Sequence, residues 1–126
     1  MLSKKYRLKN KAAFAATYNQ KNRVSDDFFV LYGGKEKTTP DFPTKIGFVV
    51  SKKVSKRAVK RNRIKRLARE VVRLGLKEGK LGDFEKRMSY IFFAKNRALE
   101  LDFKGAQFSI LKLINKISNK KYLGVL

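Results

Sequence analysis

Residues 57–76 leave this chain little choice of architecture. Advancing 100° per residue along a helix puts Ile64, Leu67, Ala68 and Val71 on one side. Asn62, Lys65, Arg66, Arg69 and Arg73 fall on the other, at offsets of 3, 4, 7 and 11 from Asn62. The first side needs burial and the second resists it. Between positions 52 and 73 stand eleven Lys or Arg and a single acid, Glu70. Like charges four residues apart each destabilise a helix by roughly 0.2–0.5 kcal/mol, and surface helices usually relieve this by mixing signs. This helix does not. It has to lie flat on an apolar layer and turn its other face to a negative partner.

The sequence supplies that layer. The apolar runs "FFVLY" (28–32), "IGFVV" (46–50) and "YIFFA" (90–94) are β-branched and aromatic, as strands are. Each is far shorter than the roughly 20 residues a bilayer span requires, so no membrane partner is expected. "DFFVLYGG" (27–34) and "KIGFVV" (45–50) are read as an antiparallel hairpin across the loop 33–44, which holds both prolines, Pro40 and Pro43. Residues 9–20 are Ala-rich and favour helix. Residues 21–27 form a turn with a short extra strand near Arg23 to Ser25, where Asp26 and Asp27 serve as turn acids. A Gly-punctuated loop covers 77–87 and a strand 88–94. A last helix runs from about Phe103 to Ser118, with Phe108, Leu111, Ile114 and Ile117 as its apolar stripe. The order helix, strands, helix, strand, helix predicts an α/β sandwich in one domain, 1–126.

Composition narrows the chemistry. With 43% hydrophobic residues, 10 Phe and 5 Tyr, the chain can build a core, yet its formal charge is +22. The expected partner is a dense polyanion. A membrane-surface helix would set Trp, Phe or Leu opposite its basic face. Here that face is small and aliphatic and is needed against the sheet, which favours nucleic acid. Cys and His are both absent, so ordinary zinc sites, thiol nucleophiles and imidazole acid–base pairs are excluded. The ten acids are scattered, which argues against a nuclease acting by itself. The N-terminal "MLSKKYRLKNK" has charge but no apolar segment behind it, so it is not read as a secretory signal. A cytoplasmic protein is expected.

"SKKVSKRAVKRNRIKRLARE" closely resembles the signature of the bacterial ribonuclease P protein subunit, centred on Arg61-Asn62-Arg63 and Ile64-Lys65-Arg66-Leu67. "YRLKNKAAFAATYNQ" is similar to that family's first helix, "FFVLYGG" and "KIGFVVSKK" to its strands, and "YIFFAKNRALELDF" to its last strand and turn. The resemblance implies an αβββαβα fold with a small mixed sheet and a left-handed βαβ crossover, ribosomal protein S5 domain 2-like. From the residues alone a right-handed crossover would be expected. The resemblance also implies the partners, ribonuclease P RNA and precursor tRNA, with hydrolysis carried out by the RNA using Mg²⁺ held mainly by that RNA. No catalytic residue and no metal ligand is assigned to the protein. It implies RNA contacts through residues 53 to 69; with the cationic stripe and the strand end, the candidate contacts are Lys52, Lys53, Lys56, Arg57, Lys60, Arg61, Asn62, Arg63, Lys65, Arg66, Arg69 and Arg73. A cleft for the 5′ leader would be lined by Phe14, Tyr18 and Tyr32, with Lys95 and Arg97 adding a basic rim. Phe14 and Tyr18, at i and i+4, share a helix face. Such a pair packs into cores as readily as it stacks on bases, and it is the resemblance that assigns stacking. The competing reading is a structural ribosomal protein, which needs no single-strand cleft.

Overall fold

The computed structural model describes residues 4–38 and 42–125, with the side chains of Asp83 and 119–125 outside the description. Pro40 and Asp41 of the 33–44 loop, and the first three residues of the N-terminal segment, fall outside it. The elements are α1 (Lys11–Asn19), β1 (Asn22–Ser25), β2 (Phe29–Gly33), β3 (Lys45–Val49), α2 (Ala58–Glu78), β4 (Ser89–Ala94) and α3 (Phe103–Val125). Short 3-10 turns cover Lys4–Tyr6, Gly82–Lys86 and Asn96–Glu100.

The strands lie in the order β1-β2-β4-β3. β2 runs antiparallel to β1 and to β4. β3 and β4 are parallel, with Ile46 opposite Tyr90 and Phe48 opposite Phe92. The expected β2–β3 hairpin is therefore not formed, because β4 stands between the two. Its sequence, "SYIFFA", is apolar at nearly every position, and all of it is buried except the half-buried Phe93. A strand apolar on both faces gains most in the sheet centre, and the long 33–44 connection imposes no neighbour on β2. The four-stranded mixed sheet carrying three helices, with β3–α2–β4 as the crossover unit, is the architecture that the family resemblance implied.

One face of the sheet carries the core. Phe29 and Phe48 both meet Phe92, at ring-centroid distances of 6.2 and 5.6 Å. α2 brings Ile64, Ala68, Val71 and Val72 to this core, and α3 brings Ala106, Ile110, Leu113, Ile114 and Ile117. Leu67 is only partly buried against it. Each Val, Leu or Ile among them contributes roughly 1.5–3 kcal/mol on full burial. Gly79 ends α2 in the left-handed conformation (φ 68°), its N–H turned back to the Gly75 and Leu76 carbonyls. The following segment, expected as plain loop, folds inward: Leu81 and Phe84 are buried, and Phe84 stacks on Tyr90 at 4.4 Å.

Phe108 does not belong to the apolar stripe of α3; it is 71% exposed. The run 108–111–114–117 advances three residues per step, which is 300°, so it drifts by half a turn from end to end. The buried ridge instead alternates steps of three and four.

Candidate nucleic-acid interface

α2 starts without help. Arg57 occupies its N-cap position but makes no side-chain capping bond, and the first turn holds no acid. Arg57, Lys60 and Arg61 crowd the positive end of the helix dipole, the reverse of the stabilising arrangement. Exposed N–H groups and cations at one end form a ready anion site. Two local bonds hold the approach: the Ser55 hydroxyl accepts from Arg57 N–H at 3.2 Å, and Arg61 Nη1 donates to the Ser55 carbonyl at 2.8 Å.

The sequence-assigned cations stand on α2 and in the segment that leads into it. Lys52 and Lys53 lie in the turn after β3, and Lys56, Arg57, Lys60, Asn62, Arg63 and Arg66 are exposed. Arg61, Lys65 and Arg69 are half-buried on the flank of α2. Arg69 rests over the Phe48 ring, 6.0 Å from its centroid. Burial, then the nearby positive charge of Arg7, lowers the Arg69 pKa. Arg63 Nη2 donates to the Leu101 carbonyl at 2.9 Å, which ties it to the approach of α3.

Arg73 differs. Its Nε lies 3.1 Å from both Glu70 carboxylate oxygens, in a bidentate clasp. The Arg73 hydrogen bond, reinforced by its charge and opposed by burial, lowers the Glu70 pKa. Among the described residues, Arg73 is the one cation of 52–73 that meets a carboxylate in an ion pair. Its charge is answered within the helix, so it is a weaker candidate for RNA contact than its neighbours.

The aromatic cluster forms on the other face of the sheet. Tyr18 and Tyr32 meet edge to face, centroids 4.7 Å apart. Burial, then Tyr32, raises the Tyr18 pKa. Phe14 lies down on β3 because position 47 is Gly; a methyl there would sit 2.6 Å from Phe14 Cζ. α1 is seated by a buried hydroxyl pair, Thr17 Oγ1 and Ser89 Oγ at 2.5 Å, and Thr17 also donates to the Ala13 carbonyl. Strand alternation extends this face beyond what the sequence indicated. Val30, Phe93 and Val49 form the next cross-strand row and are half-buried. Arg23 of β1 pairs across from Tyr32 and is exposed. The strand order was the missing signal; without it these residues could not be put on one surface.

Lys95 and Arg97, expected on the basic rim, both have partners at the β1–β2 turn. Lys95 Nζ donates to the Asp26 carbonyl at 2.6 Å. Arg97 bonds Asp27 at 3.1 Å and sits over the Phe28 ring. Both brace the β1–β2 turn. Among the described residues, no group of three or more His, Cys, Asp or Glu could hold a metal ion, and no helix is long and apolar enough to cross a membrane.

A family model described as Ribonuclease P matches residues 2–118. A "Ribonuclease P protein component" from Finegoldia magna is 34% identical over 122 residues, covering 95% of this chain and 97% of that protein. One from Nitratiruptor sp. is 33% identical over 115 residues, covering 91% and 94%. The solved RNase P protein of Staphylococcus aureus superposes with a TM-score of 0.70 at 26% identity, over 87% of this chain and 93% of that one. The Thermotoga maritima RNase P protein gives 0.71 at 21% identity, over 87% and 96%, a likeness of fold.

Proposed function

The chain belongs to the ribonuclease P protein family, and from that premise we propose that it binds the catalytic RNA of ribonuclease P through α2 and holds the 5′ leader of precursor tRNA on the α1 face of the sheet. The supporting observation is the row of exposed cations on α2 that meets no carboxylate among the described residues, at a helix start with no side-chain cap and no acid in its first turn. Each phosphate neutralised there releases counterions, so affinity falls steeply with salt. Arg side chains grip phosphate bidentately, and Asn62 adds neutral hydrogen bonds.

Phe14, Tyr18 and Tyr32 present ring faces and edges without base-specific partners, which suits stacking on a single strand of any sequence. Lys52 and Lys53, just beyond the Val30–Phe93–Val49 row along β3, guide the leader backbone. The division of labour follows from residue chemistry. A chain with no His or Cys and scattered acids supplies positive charge and positioning. The Mg²⁺ held by the RNA would supply the hydrolytic chemistry, with no ligand from this chain. The reaction is endonucleolytic removal of the leader to give the mature tRNA 5′ end, in the cytoplasm. The family match favours this reading over a structural ribosomal protein.

Reconstitution tests it. Added to a bacterial ribonuclease P RNA at low Mg²⁺, the protein should promote leader removal that the RNA alone performs poorly. Cleavage by the protein without RNA, or no stimulation, would sink the proposal. Within that assay, Phe14→Ala should weaken precursor tRNA binding by roughly 5- to 150-fold, the range of one base–aromatic stack, with little effect on mature tRNA. Equal loss for both would make Phe14 a packing residue only.

A further inference from the structure

The outer surface of α2 is not charged throughout. Val59, in its first turn, is 78% exposed. It opens a shallow hollow of about 530 Å³ floored by Leu67, on the same helix face two turns on, and by Phe103 at the start of α3. Arg63 and Arg66 wall it. Glu70 closes the far end, but its carboxylate is clasped by Arg73. The bond from Arg63 to the Leu101 carbonyl fixes that guanidinium at the margin of the hollow. Val is a mediocre helix former, and its exposure here gains nothing from water. An apolar floor framed by cations matches one kind of chemical group: a flat ring with apolar faces, carried on a phosphate.

Resting on the RNA-binding reading of α2, we infer that this hollow receives an unstacked nucleobase of the bound RNA. The base lies against Val59, Leu67 and Phe103, and its flanking phosphates lie on Arg63 and Arg66. A base inside a duplex hides its faces, so the RNA segment docked here is an unpaired loop or bulge. The cationic frame selects RNA over an apolar protein segment, which would need carboxylates to match it. α2 then holds RNA by two separable means. Phosphate contacts set the salt dependence. The ring contact adds affinity without changing it.

The test uses the full-length protein and an in vitro transcribed bacterial ribonuclease P RNA, with affinity measured across a salt series. Val59→Ser should weaken binding several-fold and Phe103→Ala by roughly 5- to 150-fold, both with an unchanged log–log salt slope. Arg66→Ala should lower the slope by about one contact. Phe103 is partly buried against the core, so its variant is checked by thermal melting. Val59 is exposed, and Val59→Ser remains informative if the Phe103 variant unfolds. Because the chain contains no cysteine, Val59→Cys can carry a single photo-crosslinker. Cross-links to an unpaired nucleotide support the inference. Cross-links confined to paired nucleotides or to another copy of the chain overturn it. So does wild-type affinity in Val59→Ser while Arg66→Ala loses its contact. If Arg66→Ala keeps the full slope, the phosphate-binding reading fails instead.

Discussion

Gly47 decides the shape of the aromatic face by lacking one methyl group. Phe14 occupies the space a side chain would take. Gly47→Ala should lift that ring, destabilising the protein by about 1–3 kcal/mol, the usual range for overpacking. Thermal melting reads the loss, and leader binding should weaken with it. Asp26 does comparable work at the β1–β2 turn. Its Oδ1 accepts from Phe28 and Phe29 N–H, Ser109 Oγ donates to Oδ2 at 2.5 Å, and Lys112 lies 3.6 Å from Oδ2. Burial opposes its charge. The hydrogen bonds and Lys112 outweigh that and leave its pKa below the ordinary 3.8. A lowered folded pKa means that this stabilisation is present above about pH 4 and lost as pH falls through the folded value. Asp26→Asn should therefore lower stability near neutral pH by about 1–3 kcal/mol and flatten the acid limb of the stability–pH curve. A wild-type acid limb in that variant would refute the assignment. The sequence showed Asp26 as a turn acid, but Ser109 stands 83 positions away and no local pattern announces it. The i,i+4 spacing of Phe14 and Tyr18 was visible, whereas the meeting of Tyr18 with Tyr32 needed the fold.

The elements were legible in proportion to how local their causes are. α2 carries its whole argument in its own periodicity, and the structure sets its ends at Ala58 and Glu78, within two residues of the sequence reading. α3 was found but its face was misjudged, because an exact three-residue spacing wanders around a helix. The sheet order was not readable from spacing, since pairing is decided by competition among strands for the centre. The seat of α1 depends on two hydroxyls brought together from positions 17 and 89. Thr17→Val keeps the shape of the side chain and strands the Ser89 hydroxyl in a buried place. A loss of about 1–3 kcal/mol is expected, and α1 amides should exchange with solvent faster than those of α2. Equal exchange in both helices would show that the hydroxyl pair does not fix α1.

At the scale of the whole molecule, a net charge of +22 on 126 residues destabilises the compact state by self-repulsion. Multivalent anions that bind the folded cationic surface should stabilise it by mass action. At equal ionic strength, sulfate should raise the melting temperature more than chloride does, and Arg66→Ala should narrow the difference. Identical melting in the two salts would mean that the surface charge is already balanced within the fold. The overall charge and its concentration on α2 were plain from the sequence, but the answering of Arg73 by Glu70 needed coordinates. The position of β4 has one more consequence. It is an interior strand by space and the last by synthesis, arriving after both of its neighbours. Until residues 89–94 leave the ribosome, β2 and β3 each expose an apolar strand with an unsatisfied edge, separated by a self-repelling segment. A nascent chain halted before residue 89 should be prone to aggregation, and contact with its RNA could begin to protect it only once the sheet has closed around that final strand.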